Sequence, residues 1–200
     1  MKKFFLPFLP LLATVLGNGC AGPGSTADIP AVGNFDVKRY MGRWYEIARL
    51  PVSFQKGMTG VSADYSLNEK TGIVTVINSG FRNRDKSFSV GKAWLAGPKD
   101  RGELRVRFFF PFSAPYRIIR LDRNYTVSVV TAGDRSYLWI LARRPKIAPE
   151  KLRELTAWAR SKGFDTEKLI YAEGNAPATT PAVSPAPATS SPETPTSSPE

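Results

Sequence analysis

Histidine is absent from this 200-residue chain, and cysteine occurs once, as Cys20. The commonest general base and the commonest metal ligand are therefore both missing. A single cysteine also forbids an intrachain disulfide. Ser-His-Asp and Cys-His nucleophilic sites and histidine-based zinc sites are excluded on these grounds. The carboxylates that remain show no spacing typical of a catalytic pair. The longest apolar run, residues 4–16, falls short of the roughly 20 residues a spanning helix needs, and Pro7 and Pro10 interrupt it.

That run is better suited to export. Lys2 and Lys3 precede it and the small residues Gly17, Asn18 and Gly19 follow it, just before Cys20. A short positive start, an apolar stretch and small residues make a secretory signal over residues 1–19. The small residues before Cys20 are similar to a bacterial lipobox, in which the cysteine is lipidated and becomes the mature N-terminus. Here Leu16 lies four residues before the cysteine rather than the usual three. Ordinary cleavage leaving a free thiol is the alternative. Ala21 follows where an aspartate would mark inner-membrane retention, so the outer membrane is the expected address, with the protein facing the periplasm. Residues 20–34 then form a Gly/Pro/Ser/Ala-rich tether, and residues 175–200 form a Pro/Ala/Ser/Thr tail too poor in apolar residues to order itself.

Charge is unbalanced. Lys and Arg outnumber Asp and Glu by 28 to 17, a net charge of +11, which becomes +9 once Lys2 and Lys3 are removed. Such a surface suits anionic neighbours such as phospholipid headgroups, although plain solubility explains it equally well. Nucleic acid is a poor partner, because export separates the chain from it and no recognition motif appears.

The folded part is expected over residues 35–174. Short β-type runs recur near residues 44–49, 61–68, 74–78, 88–95, 103–110, 116–122, 125–131 and 137–143, separated by turn-rich segments. Connections this short leave no room for crossover helices, so neighbouring strands pair antiparallel. Eight such strands suit a closed barrel. Strict alternation in 104–108 and 61–67 places apolar residues on one face. One helix is expected over residues 149–162, with Pro149 in its first turn, Leu152, Leu155, Trp158 and Ala159 along one face, and Gly163 as terminator. That stripe should pack outside the barrel, and a short strand follows near 169–172.

Three segments carry a family resemblance. Residues 42–49, Gly-Arg-Trp-Tyr-Glu-Ile-Ala-Arg, resemble the first lipocalin motif through Gly42 and Trp44. Residues 121–125, with Asp122 and Tyr125, fall where the second lies. Residues 137–143 resemble the third, which ends in Arg143. The chain is similar to the bacterial outer-membrane lipocalins, which are related to apolipoprotein D and the plant temperature-induced lipocalins. The long proline-rich tail is not typical of that group.

The resemblance implies an all-β fold, an eight-stranded antiparallel up-and-down barrel with one C-terminal α-helix outside. In such a barrel Trp44 plugs the narrow end and Arg143 lies over its indole, a structural rather than ligand-binding role. It also implies a small hydrophobic or amphiphilic ligand, of fatty acid or lysophospholipid type, with neither catalysis nor cofactor. The inward candidates for the ligand wall are Tyr65, Val76, Trp94, Leu104, Val106, Phe108, Phe110, Tyr116, Ile118, Val127, Val129 and Trp139. For Trp94, Ile118 and Trp139 both faces of the strand are apolar, so alternation does not decide their direction. Arg82, Arg84 and Lys86 are candidates to meet an anionic headgroup at the open end. The run Phe108-Phe109-Phe110-Pro111-Phe112 suits a barrel cap, a membrane-touching rim or a homodimer contact. Two other functions stay open: an anchored adaptor with an empty barrel, and a lipid-modifying enzyme on the same fold.

Overall fold

The computed structural model describes residues 24–176. Cys20, the signal-like start and most of the proline-rich tail lie outside the described residues. The elements run α1 (Val37–Tyr40), β1 (Gly42–Arg49), a 3-10 turn (Ser53–Gln55), β2 (Met58–Asn68), β3 (Ile73–Arg82), β4 (Asp85–Leu95), β5 (Glu103–Arg107), β6 (Ala114–Leu121), β7 (Val127–Thr131), β8 (Trp139–Ala142), α2 (Pro149–Ser161) and β9 (Ile170–Tyr171). Strands β2 to β8 pair in chain order, β8 pairs with β1, and β1 pairs back with β2. The sheet therefore closes on itself as an eight-stranded antiparallel barrel, and β9 adds a short pairing to the end of β1.

An up-and-down barrel puts alternate connections at one end. The links β1–β2, β3–β4, β5–β6 and β7–β8 lie at the end where β1 finishes, and this end is the mouth. The base holds the start of β1 and the links β2–β3, β4–β5 and β6–β7.

The barrel wall serves two separate cores. Inside lie Phe35, Tyr40, Trp44, Tyr65, Val74, Val76, Leu104, Ile118, Val130 and Leu141. Outside, Ile47, Ala48, Ile119, Val129, Leu138 and Ile140 pack against Leu152, Leu155 and Ala159 of α2. The helix starts at Pro149, whose missing N–H would be unpaired there in any case, with Glu150 in the first turn. Its 3.6-residue spacing carries the buried residues along one stripe.

The base is closed by a small polar clamp around an indole. Trp44 is fully buried, and its Nε1 donates to the Tyr40 carbonyl at 2.8 Å. The Arg143 guanidinium lies 4.0 Å from the ring centre. Its nitrogens donate to the carbonyls of Tyr125 (3.1 Å), Arg43 (2.9 Å) and Arg39 (2.9 Å). One side chain thus ties β8 to β1, α1 and the β6–β7 link. Gly42 has φ +91°, and a Cβ there would sit 3.3 Å from Arg143 Nη1. The position requires glycine on both counts. Asp122 caps the β6–β7 link, accepting from the backbone of Asn124, Thr126 and Val127 and from the Thr126 hydroxyl. Burial alone would raise its carboxyl, but these four donors hold it below its ordinary value.

Residues 24–34, expected to belong to a flexible tether, pack on the barrel instead. Thr26, Ile29 and Ala31 are buried. Arg117 donates to the Thr26 carbonyl (2.9 Å) and the Ile29 carbonyl (2.7 Å). Arg135 pairs with Asp28 at 2.6 Å and also bonds the Ser25 and Lys162 carbonyls. Composition suggested a linker, but the segment has outward arginines to bind its carbonyls and an apolar cleft for Ile29.

Replacing Trp44 by alanine is expected to cost about 3–5 kcal/mol, the range for deleting a buried aromatic side chain. Urea unfolding followed by circular dichroism measures it.

Candidate functional site

The sheet register decides which candidates face the interior. Leu104 pairs with Tyr116, and Val106 with both Ala93 and Ala114. Tyr65 pairs with Val76. Tyr65, Val76, Leu104, Val106, Phe108, Tyr116, Ile118 and Trp139 all belong to the inner cluster. A Cβ on Gly91 would stand 2.7 Å from the Phe108 ring, so the wall opposite that ring must lack a side chain.

Four candidates face elsewhere. Val127 and Val129 point outward, into the cluster beneath α2. The inner positions of β7 are Ser128 and Val130. Both faces of β7 meet apolar surroundings, so apolar content could not fix its direction. Trp94 pairs with Arg105 on the outer face, with the Arg107 guanidinium 5.5 Å from its ring. Phe110 lies beyond the end of β5 at Arg107, in the β5–β6 link, and is exposed.

The inner residues near the mouth are reachable by solvent. Asn78, Val106, Phe108, Tyr116 and Trp139 are half-buried, and Ser89 and Ala114 are exposed. Together they line the mouth half of the barrel interior, the cup. Asn78 and Ser89 pair directly, and Gly80 and Gly91 flank them, so β3 and β4 offer small side chains to the interior there.

The cup floor is a chain of four hydroxyls. Ser128 Oγ lies 3.2 Å from Tyr40 Oη, Tyr40 Oη 3.0 Å from Tyr116 Oη, and Tyr116 Oη 3.0 Å from Tyr65 Oη. Burial pushes the Tyr40 hydroxyl up to about 12 against its ordinary 10. Tyr65 and Tyr116 are also raised, by burial first and then by neighbouring tyrosines. The floor is therefore neutral at physiological pH, and it can offer a hydrogen bond without charge.

A second polar cluster holds the rim. Glu46 and Arg49 are both buried and form an ion pair at 2.6 Å. Gln55 Nε2 donates to the other Glu46 oxygen (2.9 Å), Arg49 Nη2 donates to the Gln55 carbonyl (3.0 Å), and Trp139 Nε1 donates to Gln55 Oε1 (2.9 Å). Burial raises the Glu46 carboxyl, opposed by the Arg49 charge and the Gln55 amide. This network ties the 3-10 turn to the barrel. Arg82 reinforces it by donating to the Phe54 carbonyl at 3.1 Å. Nε of Arg49 and Nε of Arg82 are buried donors without an acceptor among the described residues.

Sequence reasoning missed Tyr40, Glu46, Arg49, Gln55 and Ser128. A charged pair three residues apart in an otherwise apolar strand was the available signal for Glu46 and Arg49. Glu46 follows Trp44 to the inner face by alternation, but a β-bulge between Glu46 and Ala48 turns Arg49 to that face as well, which strict alternation does not anticipate.

A family profile described as a lipocalin-like domain matches residues 35–174. The chain belongs to the lipocalin family. It is 42% identical over 172 residues to the outer membrane lipoprotein Blc of Escherichia coli K12, covering 82% of this chain and 96% of that protein. It is 36% identical to temperature-induced lipocalin-1 of Arabidopsis thaliana, covering 71% and 81%. Identity with apolipoprotein D of Bos taurus is 34%, covering 84% and 95%. Among solved structures, insecticyanin from Manduca sexta superimposes with a TM-score of 0.63 at 20% identity, over 76% of this chain and 87% of that one. That likeness speaks to the fold.

Tyrosine hydroxyls ionise near 10 in an unfolded chain. The raised hydroxyls of the floor therefore favour the folded state fully below pH 10, and this contribution is lost as pH rises through the folded values, near 12 for Tyr40. Urea midpoints should fall between pH 9.5 and 11.5. The fall should be shallower in Tyr65→Phe, which removes one of the groups.

Proposed function

We propose that this lipocalin is a non-catalytic, cofactor-free envelope lipoprotein that holds an amphiphilic lipid of fatty acid or lysophospholipid type in its cup. The observation that carries the reading is the solvent-reachable inner wall, with Val106, Phe108, Ala114 and Trp139 standing above a neutral hydroxyl floor. Each methylene removed from water contributes about 0.8 kcal/mol, so an acyl chain of modest length gains micromolar affinity or better from an apolar wall. Mobile water in the cup is a weaker partner for that wall than hydrocarbon.

Polarity favours one orientation. The floor is uncharged, whereas the formal charges stand at the rim. Arg82 keeps its Nε–H unpaired beside the 3-10 turn, and Arg84 and Lys86 are exposed nearby. An anionic headgroup at mouth level meets the exposed Arg84 and Lys86, and a tail running toward the floor meets Phe108 and Val106. The names of the bacterial relatives support an outer-membrane lipoprotein, and on this reading Cys20 is the lipidated residue and the periplasm the compartment faced. Lipid storage or transport for membrane upkeep follows from a reversible carrier in that place.

Ala114→Trp places an indole in the cup from an exposed inner position. It should weaken binding of a fluorescent fatty acid or lysophospholipid at least tenfold and shift the melting midpoint little. Delipidated wild-type protein that shows no saturable binding of either probe would overturn the proposal.

A further inference from the structure

The outer face of the β3–β4 hairpin is apolar where a solvated barrel face should be polar. Ile77 pairs with Val90, Ser79 with Phe88 and Phe81 with Lys86. All four apolar members of these pairs point away from the interior. Phe88 is 69% exposed and Val90 54%. The neighbouring β5–β6 link adds Phe110, 83% exposed, with Arg107 packed over its ring. All of this lies in the mouth half of the barrel. The base has no comparable cluster among the described residues. A contiguous apolar patch of this kind on a soluble face signals a contact surface.

Cations surround the patch. Lys56, Arg84, Lys86 and Lys92 are exposed around it, and Asp85 is the one acidic residue in the hairpin. Aromatic and aliphatic side chains ringed by lysine and arginine suit the headgroup region of an anionic bilayer. They do not suit a second copy of the same patch, which would bring like charges together.

The path of the chain points to the same surface. The first described residues lie at the mouth, where Ser25 bridges Asp134 in the β7–β8 link and Arg135 binds the Ser25 carbonyl. From there the chain descends the outside of the barrel to the base, where the Phe35 amide reaches the Asp100 carbonyl. Cys20 lies four chain steps before Gly24, a reach of about 14 Å when fully extended. An 11-residue strand tilted as in such barrels stands about 28 Å along the axis. A lipid on Cys20 therefore cannot pass the base, but it lies within reach of the mouth.

We propose that the barrel rests mouth-down on an anionic phospholipid leaflet, with Phe88, Val90 and Phe110 inserted at headgroup depth and the cup opening toward the membrane. The inference rests in part on the reading of Cys20 as the lipidated residue, but the patch acts without the anchor.

The test uses the mature chain carrying Cys20→Ser, which removes the anchor and the sole thiol. Vesicles of phosphatidylethanolamine and phosphatidylglycerol (3:1) are floated with this protein and with its Phe88→Ser/Phe110→Ser derivative. The unsubstituted patch should co-float with these vesicles and not with phosphatidylcholine, and the double substitution should lower the bound fraction at least fivefold. An environment-sensitive dye placed by Lys86→Cys at the mouth should shift to the blue on vesicles, whereas one placed by Lys99→Cys at the base should not.

Equal flotation of the two proteins, or a blue shift at the base position alone, overturns the proposal. So does a dimer in solution that the double substitution dissociates while vesicles leave it unbound, because a second copy would then cover the patch. Fatty acid binding is measured on the same proteins. Its loss everywhere counts against the cargo reading alone, and its retention alongside unchanged flotation counts against docking alone.

Discussion

The barrel depends on one buried contact, the Trp44 indole beneath the Arg143 guanidinium. An aromatic ring under a cation gains about 0.5–2 kcal/mol, but the energy of the pair matters less than where its donors go. Arg143 satisfies carbonyls from three segments at once, the end of α1, the start of β1 and the β6–β7 link. Because Arg143 thereby fixes the end of β8 to β1 and α1, closure of the barrel and the plug at its base share one side chain. Gly42 is part of this arrangement, since a larger residue would displace the guanidinium.

With the base sealed, the interior is graded from dry to wet. Rings of Phe35, Tyr40, Trp44 and Tyr125 fill the bottom, with Tyr40 stacked 4.7 Å from Trp44. The hydroxyl chain comes next, then an apolar wall, then the arginines. Most polar groups in each layer have a partner or meet water, as burial of polar groups requires, and the exceptions in the rim are Nε of Arg49 and Nε of Arg82. The Glu46 carboxylate is fully partnered, by Arg49 on one oxygen and by Gln55 on the other.

Much of this was legible in the residues. The alternation in β5 and in β2 gave the correct inner face, because one side of each strand meets solvent. Arg143 and Trp44 could be placed from the motifs alone. In β7 the same method failed for Val127 and Val129. That strand is sandwiched between the barrel interior and α2, so hydrophobicity marks both of its faces. The small polar Ser128 was the better guide, since its hydroxyl bonds Tyr40. Strands β3 and β4 extend further toward the mouth than the pattern suggested, because their outer side chains there are apolar and their inner ones small. Residues 24–34 looked like a linker by composition, and the arginines that hold them lie about a hundred residues away in sequence.

The hydroxyl floor has a property that follows from counting. Four hydroxyls joined in a row by three hydrogen bonds leave one proton over. The row can run from Ser128 to Tyr65, leaving the spare proton on Tyr65, or it can run the other way and leave it on Ser128. Rotation of O–H bonds alone converts one arrangement into the other, with every heavy atom at rest. The bottom of the cup can therefore act as donor or as acceptor according to its guest. A row with that reversibility has no fixed polarity of its own.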